Sequence, residues 1–253
     1  MTMKDKVALV TGGNSGIGAA AARIFAREGA KVAVAGRTLA DCEKVAAEIV
    51  AAGGTAIALR VDVTVEDQVA AMVADTVAAF GRLDAAFNNA GYLGEKASVV
   101  DCTAEDWDRC FDVNVRGVWL SMKYEIPQMM AQGGGAIVNT ASGLAEFASP
   151  RMAAYVAAKH AVNGLTRSAA LDFGPHNIRV NALLPGATRS PMLAGHDEAD
   201  DPVLADMSAK VPLRRLGAPD DQAEVAVWLC SDRAAYVSGV PLMVDGGLTV
   251  KRW

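Results

Sequence analysis

Cysteine, histidine and net positive charge are all scarce in this chain of 253 residues. The four cysteines, Cys42, Cys102, Cys110 and Cys230, are scattered and form no C-x-x-C pair. In a reducing compartment they read as small buried hydrophobes. The three histidines, His160, His176 and His196, lack the i,i+4 spacing of a metal-binding helix, so no metal site is expected. Lysine and arginine total 24 against 29 acidic residues, a formal charge of −5. That sign argues against a broad grip on nucleic acid or anionic lipid. No apolar run approaches the ~20 residues needed to cross a bilayer. The N-terminus carries no secretory apolar core followed by a small-residue cleavage site. A cytoplasmic protein without nucleic-acid or membrane partners is therefore expected.

What is present suits a folded globule: 52% hydrophobic and 21% charged residues, in a length that one large domain can use. Short Val/Ala/Leu-rich runs at 6–11, 31–36, 56–61, 83–88, 136–141 and 178–184 are apolar on both faces. Strands in a sheet covered on both sides must read that way. A last strand is expected at 242–244, stopped by Gly246 and Gly247. The intervening stretches are amphipathic, and Thr38/Asp41, Thr64/Asp67 and Thr103/Asp106 each place a capping hydroxyl three residues before an acid. Pro219 stands where a helix begins, at a position that needs no amide donor. Alternating strands and helices imply right-handed crossovers and a doubly wound α/β domain spanning 1–253. The least regular stretch, 186–210, contains the acidic run 195–201 and lies just beyond a strand's C-terminal end. A long loop there reads as a substrate lid.

Directly after the first strand comes Thr11-Gly-Gly-Asn-Ser-Gly-Ile-Gly18, opening a helix. Backbone amides that approach a pyrophosphate closely exclude side chains at the glycines, and a helix N-terminus supplies positive potential. Tyr155 and Lys159 are spaced i,i+4 on a predicted helix, which puts phenol and ammonium on one face. Ser142 lies thirteen residues upstream of Tyr155, where the fifth strand closes, and Asn114 sits between two valines in the preceding long helix.

The spacing Thr-Gly-x-x-x-Gly-x-Gly, followed in order by Asp62, Asn88-Asn-Ala-Gly91, Asn114, Ser142, Tyr155, Lys159 and Pro185-Gly186 with Thr188, resembles the short-chain dehydrogenase/reductase family in its classical form. The likeness covers nearly the whole chain. It implies a Rossmann fold and hydride transfer between a nicotinamide dinucleotide and a ketone/secondary alcohol pair. By the same resemblance Gly12, Asn14, Ser15, Gly16, Ile17 and Gly18 hold the cofactor's phosphates and ribose. Asp62 and Val63 meet the adenine, Asn89, Ala90 and Gly91 line the crevice, and Pro185, Gly186 and Thr188 lie beside the nicotinamide carboxamide. Asn114, Ser142, Tyr155 and Lys159 match the catalytic tetrad. In it Tyr155 exchanges the proton, Ser142 holds the carbonyl oxygen, Lys159 bonds the nicotinamide ribose, and Asn114 anchors a water leading to solvent.

At the end of the second strand, NAD-preferring relatives carry an acid for the ribose 2′-hydroxyl. Here Gly36 is followed by Arg37. A guanidinium would pair with a 2′-phosphate in forked geometry, which makes NADP(H) the expected cofactor. Ser15 stands where many NADP-binding relatives have a second basic residue, so NAD(H) is also admitted. Tyr92, Leu93, Leu144, Met152, Met192 and Leu193, near the tetrad or the lid, are the expected pocket liners, and they suit a moderately apolar small-molecule carbonyl or alcohol. Glu146 is the odd polar residue among them. Alternatives are a 3-oxoacyl-carrier-protein reductase, an NAD-dependent cyclic diol dehydrogenase and a non-catalytic dinucleotide-binding protein. The family resemblance implies a homotetramer joined through segments near 104–130, 152–173 and 242–244, with Trp253 at an interface or frayed.

Overall fold

A computed structural model of the chain describes residues 1–193 and 202–250. Among them, seven strands form one parallel sheet in the order β3-β2-β1-β4-β5-β6-β7. They are β1 Val7–Thr11, β2 Lys31–Gly36, β3 Thr55–Arg60, β4 Ala85–Asn88, β5 Gly135–Thr140, β6 Ile178–Pro185 and β7 Pro241–Val244. The strand order reverses between β1 and β4, opening a crevice beyond their carboxyl ends. The doubly wound α/β expectation is met.

Alternate residues of each strand serve opposite cores, which is why the strands are apolar throughout. Ala8, Val10, Val32, Val34, Phe87 and Val138 pack on one face with α1 (Gly16–Arg27), α2 (Leu39–Ala51) and α8 (Pro219–Cys230). Leu9, Ala33, Ala86, Ile137 and Leu184 pack on the other with α3 (Glu66–Phe80), α5 (Gly117–Ala131) and α6 (Ala153–Phe173). The largest wholly buried side chains include Phe25 and Phe87. Each such side chain contributes about 1.5–3 kcal/mol by leaving water.

The expected helix starts are met unevenly. At α4 (Ala104–Phe111) the Thr103 hydroxyl accepts from the Asp106 amide at 3.1 Å. Pro219 opens α8 as expected. Thr38 occupies the N-cap of α2 but makes no side-chain cap bond. Thr64 is not a cap: α3 is preceded by Val65, and the Thr64 amide and hydroxyl both donate to Asp62 Oδ1, at 3.0 and 2.8 Å. The Asp62 side chain, two residues earlier, holds the Thr64 hydroxyl instead. The stretch read as a lid loop is partly regular, with a short 3₁₀ turn at Pro191–Leu193 and α7 at Pro202–Lys210. The acidic run 195–201 and Trp253 lie outside the described residues.

Candidate active site

The turn between β1 and α1 is built for close approach. Gly12 and Gly16 have φ of +61° and +50°, in the left-handed region that favours glycine. A β-carbon on Gly18 would fall 2.1 Å from the Gly12 carbonyl oxygen, and one on Gly12 would fall 3.0 Å from the Ala90 backbone. The Thr11 hydroxyl accepts from the amides of Asn89 and Ala90, at 3.1 and 3.3 Å, so the ends of β1 and β4 are tied together. Asn89 donates from Nδ2 to the Gly12 carbonyl at 3.4 Å and accepts at Oδ1 from the Thr140 hydroxyl at 3.3 Å. Ser15, exposed at the N-cap of α1, leaves its hydroxyl out of the cap, and Ile17 packs at the rim of the core. This glycine cradle at a helix N-terminus fits a dinucleotide pyrophosphate.

Along the rest of the crevice, Val63 is buried against Gly117, where a β-carbon would come 2.7 Å from Val63 Cγ2. Arg37 is exposed and has no hydrogen-bond or ion-pair partner among the described residues. Pro185 ends β6, and a β-carbon on Gly186 would come 2.6 Å from Asp245 Cα. Thr188, buried, donates to the Gly186 carbonyl at 3.0 Å and accepts from Gln222 Nε2 at 3.1 Å. Gln222 also donates to the Val244 carbonyl at 2.9 Å. Sequence reasoning missed this helper, because a lone glutamine on α8 carries no motif.

The four expected tetrad residues converge, though two stand on unexpected backbone. Asn114 lies in a π-helical turn, Asp112–Arg116, between α4 and α5 rather than in a continuous α-helix. Such wide turns recur at functional sites. Ser142 lies beyond the end of β5 and caps a 3₁₀ turn, Gly143–Ala145, accepting from the Leu144 amide at 3.1 Å. Tyr155 and Lys159, both buried, share one face of α6, with Lys159 Nζ 5.5 Å from the Tyr155 ring centre. Lys159 donates to the Thr140 carbonyl at 2.8 Å. A β-carbon on Gly91 would lie 3.3 Å from Asn114 Oδ1 and 3.8 Å from Lys159 Nζ, so the end of the Asn-Asn-Ala-Gly segment faces the tetrad.

Burial dominates the electrostatics. It pushes the Tyr155 phenol up to about 12, partly opposed by a hydrogen bond with Ser142. It brings the Lys159 ammonium down to about 8. Burial thus shifts both groups towards their neutral forms, though Lys159 remains mostly cationic at neutral pH, and a cation brought into the crevice would shift Tyr155 towards phenolate.

Around Tyr155 lies an apolar cluster of Cys110, Ala154, Tyr155 and Ala158, against which Tyr92, Leu93, Leu144 and Met152 pack. Met192, partly exposed, reaches over the crevice, with Cε 3.6 Å from a β-carbon built on Gly91. Leu193 ends the 3₁₀ turn beside it. Glu146 turns away from this cluster, accepting from Asn163 Nδ2 at 3.2 Å, with Arg167 3.8 Å off. Asp106 is the other residue that sequence reasoning undervalued. Its carboxylate accepts from the Tyr92 hydroxyl at 2.9 Å and the Glu95 amide at 3.0 Å, holding the loop after Gly91. The Thr103-x-x-Asp106 spacing disclosed its helix role alone.

A family model described as enoyl-(acyl carrier protein) reductase matches residues 12–249. A cyclohexanol dehydrogenase of Acinetobacter sp. (strain SE19) is 43% identical over 247 residues, 98% of this chain and 96% of that protein. A 2,5-dichloro-2,5-cyclohexadiene-1,4-diol dehydrogenase of Sphingobium indicum is 45% identical over 250 residues, 98% of both chains. The crystal structure of a levodione reductase superposes with a TM-score of 0.94 at 35% identity, covering 98% of this chain and 99% of that one. Among the described residues no helix is long and apolar enough to cross a membrane, and no group of three or more potential metal ligands is found.

Proposed function

Since the chain belongs to the short-chain dehydrogenase/reductase family, oxidoreductases that act on CH–OH groups with a nicotinamide dinucleotide, we propose that it interconverts an alicyclic secondary alcohol and its ketone, with NADP(H) as preferred cofactor. The convergence of Ser142, Tyr155 and Lys159 beneath Gly91 is the observation that carries the reaction. The apolar cluster around Tyr92, Leu93, Leu144 and Met152 suits a ring of carbons with few polar groups. Two relatives named for ring alcohols support the same class.

The turn 12–18, Asp62, Val63, residues 89–91, Pro185, Gly186 and Thr188 would hold the dinucleotide, which supplies or accepts the hydride. NADP(H) preference rests on the unpaired Arg37; NAD(H) remains usable because Ser15 adds no second cation. In ketone reduction the carbonyl carbon gains the hydride and Tyr155 gives its hydroxyl proton to the oxygen. The C=O π bond is thereby replaced by one C–H and one O–H bond, and the phenolate regains a proton from solvent. Ser142 holds the carbonyl oxygen beside the phenol. Lys159 would hold the nicotinamide ribose and, as a cation, would stabilise the phenolate. Asn114 already uses its Nδ2 on the carbonyls of Tyr92 and Cys110. Its side chain thus braces the loop at Tyr92, and Asn114 is proposed also to anchor the water that leads protons to solvent.

The segment 186–210 is proposed as the lid, with Met192 beside Gly91 and Ser190 and Pro191 beside Gly16 among its described contacts with the crevice. Exposed Trp107 and Trp119 on α4 and α5, with Leu171 on α6, support a homotetramer built through these helices. A cytoplasmic enzyme fits these readings. A carrier-bound substrate fits less well. Arg215 is paired with Asp221, which leaves Arg214 as the one uncompensated cation of that pair for an acidic carrier.

The test follows reduced-dinucleotide absorbance with ring and open-chain ketones and alcohols. Tyr155→Phe should bind cofactor as the native enzyme does while turnover falls by ~10² or more. Near-native turnover in that variant, or a native enzyme inert to every ring substrate, would overturn the proposal.

A further inference from the structure

We infer that Glu125 is carried in the folded protein as a neutral carboxylic acid, ring-paired with the Asn88 carboxamide, and that this pair positions the segments bearing the tetrad. The effect on turnover rests on the function proposed above; the protonation does not.

Glu125 lies in α5 with none of its surface exposed. Asn88 Nδ2 donates one hydrogen to Glu125 Oε2 at 3.0 Å and the other to Asn139 Oδ1 at 3.0 Å. In this arrangement the Asn88 amide nitrogen faces both acceptors. The oxygens left over on the joined groups, Asn88 Oδ1 and Glu125 Oε1, are both buried, and neither has a partner among the described residues. A carboxylate offers only acceptors, so in the ionised form nothing in this pair can satisfy either oxygen. One proton on Oε1 supplies the missing donor, and an O–H to Asn88 Oδ1 completes both groups at once.

The pair ends a buried row. Asn88 and Asn139 are register partners on β4 and β5, and Asn139 Nδ2 donates to the Thr166 hydroxyl of α6 at 3.0 Å. Each element in the row leads to the site. The π-turn bearing Asn114 runs directly into α5, β4 runs into Asn89–Gly91, β5 runs towards Ser142, and α6 carries Tyr155 and Lys159. Glu125 is thus a positioning residue, distant from the reacting atoms.

Electrostatics agree. Burial pushes the Glu125 carboxyl up to about 7, the Asn88 bond opposes this, and no charged side chain contributes. Around it β4 and β5 present neutral amides and α6 a hydroxyl. Among the described residues the titratable group that senses Glu125 is the Cys230 thiol at the end of α8, itself pushed up to about 12 by burial and hence neutral. A carboxyl raised on folding favours the fold fully below its unfolded value of 4.5, and that contribution is lost as pH rises through about 7.

Glu125→Gln tests this, because its amide N–H replaces the acid O–H permanently. Chemical denaturation of variant and native protein should agree near about pH 4.5. By about pH 8 the native protein's relative folding constant should have fallen by roughly two orders of magnitude. The variant-to-native ratio of kcat should rise over the same interval. Should the variant not fold, infrared spectroscopy of the native protein decides. A protonated-carboxyl band at about pH 6 that disappears on alkalinisation is expected. Absence of that band, or a variant less stable at every pH, would overturn the neutral acid. A band present with a flat kcat ratio would overturn the positioning role. The infrared and denaturation measurements need no substrate, so failure of the proposed reaction leaves them intact.

Discussion

Asn114 holds Tyr92 by both ends of its main chain: Oδ1 accepts from the Tyr92 amide at 3.1 Å, and Nδ2 donates to the Tyr92 carbonyl at 2.7 Å. The phenol of the same residue donates to Asp106, and the Arg109 guanidinium lies 4.3 Å from its ring centre. Tyr92 is therefore fixed at backbone, ring and hydroxyl, directly after the glycine that faces Lys159. In the proposed site a wall held this way would be preorganised for one substrate orientation.

Removing the outer grip should loosen that wall without touching the chemistry. Asp106→Ala frees the Tyr92 hydroxyl and the Glu95 amide, at a cost of roughly 1–3 kcal/mol in stability. KM for the ketone should rise several-fold, while kcat stays within a factor of about three and cofactor affinity is unchanged. Tyr92→Phe should reproduce part of the KM effect, and the two changes together should be less than additive because they share one bond. Steady-state kinetics with a ring ketone measures this. An unchanged KM in both variants would detach Tyr92 from the substrate.

Tyr155 offers a titration whose direction is fixed by its surroundings. Burial holds the free enzyme's phenol near about 12 and the Lys159 ammonium near about 8. An oxidised nicotinamide held as proposed would add positive charge beside the phenol, so its pKa should fall when NADP⁺ binds. Tyrosinate absorbance, with Tyr155→Phe as the blank, should show a midpoint at least about one unit lower with NADP⁺ than without. Lys159→Ala should diminish that drop if cofactor and lysine act on the phenolate together. The lysine also bears on stability, with the opposite sign to Glu125. Its pKa is depressed on folding, so its contribution is present above 10.5 and lost as pH falls through about 8. Equal midpoints with and without NADP⁺ would place the nicotinamide away from Tyr155.

The architecture was legible because every strand announces itself twice, as an apolar run and as the end of a helix-length spacing. The shared register of Asn88 with Asn139, by contrast, depends on which strands are neighbours, which a single chain's periodicity does not give. The glycine turn and the Tyr155/Lys159 pair were legible because backbone approach and i,i+4 geometry are local requirements. Asn114 was found, but its π-turn was not, since a one-residue widening of a helix leaves the apolar pattern almost unchanged. Thr64 misled because Asp62, two residues earlier, competes for its hydroxyl. Gln222 and Glu125 act through contacts 34 and 37 residues away along the chain, and neither belongs to a local pattern.

The proposed cofactor choice rests on the end of β2, where the packing of Gly36 adds a constraint. Arg37 is exposed and unpaired, free to meet a 2′-phosphate. Such a charge-assisted bond contributes about 1.5–3 kcal/mol, less where solvent screens it. Arg37→Leu should therefore lower kcat/KM for NADPH by about ten- to hundredfold and leave NADH nearly unaffected. Installing the acid is harder. A β-carbon on Gly36 would lie 2.8 Å from Asn14 Oδ1 and 3.0 Å from Cys42 Sγ, so the Asn14 side chain fills the space a carboxylate needs. Gly36→Asp with Arg37→Leu should then reverse the preference only in part, and adding Asn14→Ser should complete it by clearing the amide. The observable is the ratio of kcat/KM for NADPH to that for NADH with one shared ketone, measured also at raised salt. The native ratio should shrink with salt and the Arg37→Leu ratio should not, because only the native pair is a screened charge contact. A native enzyme that prefers NADH, or a ratio indifferent to Arg37, would leave that guanidinium as a solvated cation at a strand end.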